Sequence, residues 1–188
     1  MGSTIGGFDL DELIASLLQA RSEHDPIPAV RDVLARAVSR PSSVQDALPA
    51  DRAELVPLYT SDTLTVMKAV WSPKMALPPH NHQMWGVIGV YGGRETNEFF
   101  RSRDGNLENV IVNEFAAGDV GLFGHDAIHS VTNPLSGEYT GAIHVYGGDF
   151  MNEPRSVWLG DPPTEEPATG TTMQRFFVES GSDENSQH

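Results

Sequence analysis

The chain has 188 residues and a net charge of −14, with 39% hydrophobic and 20% charged residues. Its length and composition indicate one folded domain with enough chain to bury a core. The negative charge argues against nucleic acid or an anionic membrane as a partner, because both are bound by clustered Lys and Arg. Since the chain has no cysteine, disulfides and thiolate metal sites are excluded, and any metal must be held by His, Asp or Glu.

The sequence gives no sign of a targeting or membrane segment. No apolar run approaches the ~20 residues that a membrane-spanning helix needs. The opening residues, 1–7, have neither the basic flank nor the apolar core of a secretory signal. We therefore expect a cytoplasmic location as the default.

The first forty residues are predicted to form two helices. Apolar residues recur at helix spacing over residues 8–18, with Asp9 as N-cap and Glu12 three residues later in the capping-box position. A second helix is predicted to begin near Pro28, which suits the first turn of a helix. It should end at Arg40, because the residue before a proline is disfavoured in the α region.

After about residue 54 the helical periodicity gives way to short strands separated by turn residues. Glycine-containing turns such as Asp104-Gly105-Asn106 punctuate the segment, and no helical pattern interrupts it. Closely spaced strands of this kind favour an all-β barrel or jelly roll. The predicted strands are Leu55–Tyr59, Leu64–Trp71, Trp85–Tyr91, Glu95–Arg101, Leu107–Phe115, Val120–Phe123, Ile128–Thr132 and Tyr139–Tyr146.

Three segments are therefore expected. Residues 1–50 form a helical segment packed on a barrel that spans residues 51–160. Residues 161–188 begin with a stretch rich in proline and threonine and end in a polar, acidic tail. Between the two, Phe176-Phe177-Val178 is predicted to add an edge strand to the barrel, and the tail that follows is expected to be flexible.

Two histidines one residue apart, His80 and His82, precede the apolar run that begins at Trp85. In a strand, residues i and i+2 point to the same face, so both side chains can enter one cavity. Neutral imidazole is the commonest metal ligand in proteins. Taken alone, the pair is equally consistent with metal binding and with an ordinary surface or core strand.

A second histidine pair, His125 and His129, lies in the glycine-rich stretch of residues 118–133. Histidines that converge from two strands of a small barrel can build a site for one metal ion. This second pair therefore strengthens the metal hypothesis. For His125 itself three interpretations stay open: a partner of a metal ligand, a substrate contact, or an exposed turn residue.

These motifs resemble those of the cupin superfamily, and more closely those of the cysteine-dioxygenase-like thiol dioxygenases. The resemblance spans roughly residues 59–155. His80-Asn81-His82 is similar to the first cupin motif, and residues 118–133 are similar to the second, with His129 in the ligand position. The family fold implied is the cupin double-stranded β-helix, a jelly-roll barrel, here preceded by the two predicted helices.

The usual cupin motif also has a glutamate ligand four or five residues after its second histidine. This chain has Gly86 and Val87 at those positions. Glu95 lies beyond the spacing of the motif and is interpreted as a solvated strand end. A site of three histidines without a carboxylate is typical of the thiol dioxygenase branch, and the resemblance implies Fe(II) held by His80, His82 and His129.

A further stretch, residues 141–149, resembles the Ser-x-His-x-Tyr segment of that branch. Ala142, His144 and Tyr146 share one face of a predicted strand. In the family the serine orients the histidine, which polarises a tyrosine hydroxyl close to the iron. The resemblance therefore implies catalytic roles for His144 and Tyr146. Since Ala142 replaces the serine, the group that orients His144 is left open between a water and a backbone carbonyl.

Within the branch, the chain is more similar to the bacterial 3-mercaptopropionate dioxygenase type than to animal cysteine dioxygenases. The animal enzymes carry a tyrosine-crosslinked cysteine where this chain has Gly86, and an early arginine where it has residues 59–61. The bacterial type instead binds the substrate carboxylate with an arginine shortly after the tyrosine. Arg155 stands at that place, and its planar fork suits a carboxylate. The alternative is an ordinary loop arginine.

The resemblance thus implies an iron-dependent thiol dioxygenase that converts a small carboxylate-bearing thiol, similar to 3-mercaptopropionate, to its sulfinate with O₂. The expected partners are that thiol and O₂, with no nucleic acid and no membrane. Two alternatives stay open: a cupin metal oxygenase that acts on a different substrate, and a non-catalytic cupin binding module that contains a metal. The sequence does not decide between a monomer and a homo-oligomer.

Overall fold

A computed structural model of the chain describes residues 7–184. No helix in this range is long and apolar enough to cross a membrane. In chain order the elements are α1 (Leu10–Arg21), α2 (Pro26–Val38), α3 (Pro41–Ala47), β1 (Glu54–Thr60), β2 (Thr65–Trp71), β3 (Ala76–Asn81), β4 (Gly86–Gly92), β5 (Arg94–Arg103), β6 (Asn106–Ala116), β7 (Val120–Phe123), β8 (Ile128–Thr132), β9 (Thr140–Tyr146), β10 (Ser156–Leu159), β11 (Thr164–Pro167) and α4 (Gly170–Glu184).

The strands form two antiparallel sheets whose neighbours are rarely consecutive in the chain. The first sheet has the order β1-β2-β9-β4-β7, and the second has the order β11-β10-β3-β8-β5-β6. From β4 onward the chain passes repeatedly from one sheet to the other, so that late strands insert between early ones. This is the jelly-roll topology of a double-stranded β-helix. The predicted fold class is confirmed.

The central strands of the first sheet are covered on both faces. Every residue of β2, β4 and β9 is buried, which explains why these segments are continuous apolar runs rather than alternating ones. On the outer face, Val87 and Ile143 pack with Leu17 and Leu34 of the helices. On the inner face, side chains of the first sheet pack with the rings of Phe99 and Phe115 from the second; they are Met67, Ile88, Val90, Phe123, Ala142 and Tyr146.

Helix α1 begins where the sequence indicates and α2 begins at Pro26, two residues before the predicted start, but there are three N-terminal helices rather than two. The Asp9 side chain accepts a hydrogen bond from the Glu12 backbone N–H at 3.0 Å, which confirms the predicted cap. Helix α2 ends at Val38, and α3 begins at Pro41. The proline that stops α2 occupies the first turn of α3, where its missing N–H is not needed. The prediction of two helices was therefore incomplete.

Three short strands, β3, β10 and β11, were not predicted from the sequence. Strand β3 contains Pro78 and Pro79, and proline is normally depleted from strands. The structure accommodates them because the register between β3 and β8 shifts between Leu77 and His80, so the prolines lie at an irregularity of the ladder. Strand β10 joins the sheet through β3, where Val157 pairs with His80.

The C-terminal apolar island was assigned to the wrong element. Phe176-Phe177-Val178 lies in α4 and not in an edge strand. Met173, Phe176 and Phe177 follow helix spacing and pack against the buried cluster around Trp71 and Leu77. The tail expected to be flexible is helical as far as residue 184, and residues 185–188 lie outside the described range. The segment boundaries at residues 50 and 160 stay a prediction.

Candidate functional site

A cavity of about 810 Å³ is lined by both sheets and closed on one side by α4. All six residues assigned to a site from the sequence line this cavity. They are His80, His82, His129, His144, Tyr146 and Arg155. His125 is separate: its side chain is 63% exposed, and its Nδ1 lies 2.7 Å from Asp126 Oδ1. It is therefore the exposed turn residue that was one of the three interpretations.

Three buried histidines meet at one end of the cavity. One ring nitrogen each from His80, His82 and His129 lies within 4.8 Å of the other two. His80 and His129 are paired across β3 and β8, while His82 stands one residue past the end of β3. Gln83 then adopts a φ of 55°, a left-handed conformation in which the chain turns away from the site. The pairing of strands, and not strand period alone, brings the rings together.

Hydrogen bonds fix which nitrogen of two of these rings faces the cavity. His129 Nδ1 lies 2.7 Å from Asn97 Oδ1, and His80 Nδ1 lies 3.0 Å from the Pro78 carbonyl oxygen. An oxygen acceptor requires a proton on each Nδ1, which leaves Nε2 of both rings with a free lone pair. His129 Nε2 and His82 Nδ1 are indeed buried without a hydrogen-bond partner among the described residues.

The three rings are neutral at ordinary pH. Burial lowers the pKa of His80 to about 4, and burial together with neighbouring charges holds the pKa values of His82 and His129 well below their usual range. Within residues 7–184, the cluster of potential ligands contains these histidines and no carboxylate. Neutral imidazoles with free lone pairs fit Fe, Zn, Cu or Ni. The donor set therefore makes this a candidate metal site.

The position where a cupin glutamate ligand would arise is filled by an aromatic ring. A Cβ on Gly86 would lie 2.2 Å from Phe123 Cζ, so no side chain fits there without displacing that ring. The Phe123 ring in turn packs against His82 and His129, with centroid distances of 5.0 Å to each. The glycine and the ring together explain a site without a carboxylate ligand.

Tyr146 and His144 lie beside the three histidines, on the inner face of β9 as the strand period predicts. The Tyr146 hydroxyl and His144 Nδ1 are 3.0 Å apart. The Tyr146 ring packs edge-on against His82 at 4.8 Å and stacks on Phe150 at 4.2 Å. Burial raises the pKa of the Tyr146 hydroxyl, which therefore keeps its proton.

Glu95 was interpreted as a solvated strand end, and this interpretation was wrong. Its side chain is 0% exposed, because Glu95 and Asn97 point inward from β5. Trp71 Nε1 donates to Glu95 Oε2 at 2.8 Å, and Asn97 Nδ2 donates to Oε1 at 2.8 Å. The same Oε2 lies 3.5 Å from His144 Nε2. The alternation of side chains along a strand could have indicated this position, since Glu95 and Asn97 share one strand face.

Burial by itself would raise the pKa of the Glu95 carboxyl. Electrostatic attraction to the His144 ring and the N–H donors around the carboxylate outweigh this effect and hold the pKa below its usual range. Glu95 is therefore an ionised group inside the barrel. A buried carboxylate is retained when it is paired and hydrogen-bonded, and here both oxygens accept hydrogen bonds.

Arg155 follows Phe150 in the loop after β9 and brings a cation to the cavity wall. Its guanidinium carbon lies 3.8 Å from the Phe150 ring centroid. Desolvation lowers the pKa of Arg155, yet a guanidinium keeps its proton in proteins. Its Nε is buried and has no hydrogen-bond partner within the described part of the chain. Such a donor is suited to an anionic ligand.

No family model matches the sequence. Among solved structures, the chain is similar to an uncharacterised conserved protein with a double-stranded β-helix domain from Klebsiella pneumoniae, at 15% identity and a TM-score of 0.46, over 57% of this chain and 80% of that one. A Bacillus halodurans protein shares 20% identity, with a TM-score of 0.47, over 56% of this chain and 77% of that one. An oxalate oxidase shares 16% identity, with a TM-score of 0.39, over 46% of this chain and 42% of that one. At these identities the chemistry has to be inferred from this chain's own residues.

Proposed function

We propose that the chain is an iron-dependent thiol dioxygenase that converts a small carboxylate-bearing thiol, with 3-mercaptopropionate as the leading candidate, to its sulfinate with O₂. The observation that carries the proposal is a cluster of three neutral histidines without a carboxylate, set beside a buried tyrosine and a partly buried arginine in one cavity. The balanced reaction adds both atoms of O₂ to the sulfur of the thiolate and needs no further reductant.

His80, His82 and His129 would hold Fe(II) through ring nitrogens that have free lone pairs. The Asn97 and Pro78 oxygens orient two of these rings from behind. Because all three ring donors are neutral, they would leave the charge of a bound ion uncompensated, which would favour an anionic thiolate as substrate. When bound, the iron supplies the redox chemistry, and the protein supplies binding and orientation.

Arg155 would bind the carboxylate of the substrate. Its planar guanidinium can form two parallel hydrogen bonds with a carboxylate, and its unpaired Nε would gain a partner. The Phe150 ring against the guanidinium holds the group in place from one side. A thiol acid bound in this way would have its sulfur directed toward the histidine end of the cavity.

Tyr146 would orient the thiol at the histidine end. With Nε2–H of His144 directed to Glu95, His144 Nδ1 accepts the hydrogen bond of the Tyr146 hydroxyl. The hydroxyl oxygen is then left as an acceptor on the cavity side, beside His82. It can accept a hydrogen bond from the S–H of the entering thiol and fix its direction before the thiol loses its proton.

The proposal is tested by metal analysis and oxygen uptake on one preparation of purified protein. We expect bound iron, and oxygen consumption that depends on iron and on added 3-mercaptopropionate. Cysteine, mercaptosuccinate and cysteamine complete the panel, because they vary the carboxylate and the amine around the same thiol. Protein that holds no iron, or that consumes no oxygen with any of these thiols, would contradict the proposal.

A further inference from the structure

Glu95 connects two parts of the candidate site that lie on opposite sheets. Its Oε1 accepts from Asn97 Nδ2 at 2.8 Å, and Asn97 Oδ1 lies 2.7 Å from His129 Nδ1. Its Oε2 is 3.5 Å from His144 Nε2, a buried nitrogen that makes no hydrogen bond with the described residues, and His144 Nδ1 lies 3.0 Å from the Tyr146 hydroxyl. One buried carboxylate thus stands behind a candidate metal ligand and behind the candidate catalytic tyrosine.

The direction of these hydrogen bonds follows from the chemistry of an ionised carboxylate, which only accepts. Asn97 must turn its amide NH₂ toward Glu95, so its amide oxygen faces His129. That oxygen requires the proton of His129 on Nδ1. On the other side, Glu95 favours the proton of His144 on Nε2. The tautomers of both histidines therefore depend on the same side chain.

We infer that Glu95 is the positioning residue that fixes His144 for Tyr146, and that it does so from β5 because Ala142 offers no polar atom. The role depends on the proposed function, in which Tyr146 orients the thiol. Trp71 donates a further hydrogen bond to Glu95 Oε2 at 2.8 Å and holds the carboxylate in place. Loss of such an outer partner typically lowers activity roughly 10–100-fold.

The direct test uses ¹⁵N NMR of the histidine rings in metal-free protein, so that it does not depend on turnover. In the native chain we expect His144 with a protonated Nε2 and an unprotonated Nδ1. Glu95→Gln replaces one acceptor oxygen of the carboxylate by an amide NH₂, which is a donor. Because Trp71 and Asn97 already donate to this group, we expect the Nε2-protonated tautomer of His144 to be lost. The same tautomer in both proteins would overturn the inference, whatever reaction the protein catalyses.

Steady-state kinetics distinguish a positioning role of Glu95 from a role in folding. Glu95→Gln should lower kcat per bound iron roughly 10–100-fold, with KM within about two-fold of the native value. Thr140→Val is the matched control, because Thr140 is another fully buried polar residue whose hydroxyl is hydrogen-bonded, to Arg94, away from the site. An equal loss of kcat in both variants, or no loss in Glu95→Gln, would contradict the inference.

Should Glu95→Gln fail to fold, Glu95→Asp tests the same position, because it keeps the charge and withdraws the carboxylate from His144 Nε2. We expect a partial shift of the His144 tautomer in this variant. Addition of Ala142→Ser to Glu95→Gln supplies a hydroxyl on the His144 face of β9 and should restore part of kcat. An unchanged tautomer in Glu95→Asp would count against the inference. If the native protein oxidises no thiol, the proposed function fails while the NMR result still stands.

A second inference concerns the size of the substrate and rests on the cavity volume. A thiol acid with six heavy atoms occupies roughly 180 Å³, at the ~30 Å³ that a water molecule takes in the liquid. The cavity measures about 810 Å³, which is within the range of sites for drug-sized ligands. Part of its wall is apolar, with Trp71, Leu77 and Val131 from the sheets and Met173 and Phe177 from α4.

We infer that the preferred thiol acid carries an apolar body, aryl or branched alkyl, that fills this apolar end. The inference deepens the proposed function, because it keeps Arg155 for the carboxylate and the histidine end for the sulfur. The Phe177 and Trp71 rings, with centroids 5.6 Å apart, offer aromatic surface to such a group.

Calorimetry with two probes that lack a thiol tests this without turnover. We expect 4-phenylbutyrate to bind at least about ten-fold more tightly than butyrate, since burial of a phenyl ring is worth more than 1.4 kcal/mol. Val131→Phe should reduce this preference, whereas Val112→Phe, on the exposed face of β6, should not. Equal affinity for the two probes would overturn the inference. Absence of thiol oxidation would instead count against the proposed function.

Discussion

Arg155 carries a positive charge in the wall of the cavity, with its Nε free of hydrogen bonds from the described residues. If it binds the substrate carboxylate, Arg155→Ala should raise KM for 3-mercaptopropionate roughly 10–100-fold, the equivalent of a lost charge-assisted pair. Cysteamine has no carboxylate, so its KM should change less than about two-fold. Steady-state oxygen uptake measures both.

Arg175→Ala is the matched control for this substitution. Arg175 is an exposed arginine of α4 that lies over a different ring, Phe176, at 5.0 Å. Its removal should leave both KM values unchanged. If Arg155→Ala affects the acidic and the neutral thiol equally, Arg155 does not bind the carboxylate.

Tyr146→Phe removes one oxygen and keeps the ring that stacks on Phe150. If the hydroxyl orients the thiol and not the metal ligands, kcat should fall roughly 100-fold or more, with iron content unchanged. Tyr91→Phe is the control, because Tyr91 is fully buried among the helices and its hydroxyl has no partner in the described chain. Similar kcat values for Tyr146→Phe and the native protein would exclude this role.

At the residue scale, the sequence predicted the polar residues that belong to compact motifs. The three histidines of the candidate site, with His144 and Tyr146, stand at short spacings that a single strand or a known motif makes visible. Glu95 was missed because its partners, Trp71 and His144, come from two other strands, far away in the chain. A charged residue beside a glycine turn indicates a solvated position, and only the paired sheets show that it is buried.

At the element scale, the long apolar strands were predictable because β2, β4 and β9 are buried on both faces. Strand β3 was hidden by Pro78 and Pro79, although it carries His80. The apolar island around Phe177 was assigned to a strand, since a run of three apolar residues does not distinguish strand from helix. Its packing on Trp71 favours the helical arrangement.

The contact between α2 and β4 gives a prediction about an element rather than a site. A Cβ on Gly89 would lie 2.7 Å from Leu34 Cγ, whereas a Cβ on Gly92 would meet nothing closer than 3.6 Å. Gly89→Ala should therefore lower the free energy of unfolding by about 1–3 kcal/mol through overpacking. Gly92→Ala should change it by less than about 1 kcal/mol. Urea unfolding measures the difference, and equal effects would contradict the close packing of α2 on β4.

At the scale of the whole molecule, fold and site were predictable to different degrees. The order of helices and strands indicated a jelly roll, because that architecture follows from short strands without intervening helices. The role of α4 was not predictable, since its apolar face is defined by the cavity that it covers. The choice of substrate depends on that cavity, to which α4, both sheets and the Arg155 loop all contribute.

The proposed activity is the transfer of both atoms of O₂ to a thiol sulfur. The most direct measurement is mass spectrometry of the product formed from 3-mercaptopropionate under ¹⁸O₂ by the iron-loaded protein. We predict a sulfinate in which both added oxygen atoms carry the label. A product without a sulfinate, or with label on carbon, would contradict the assignment of this three-histidine site to thiol dioxygenation.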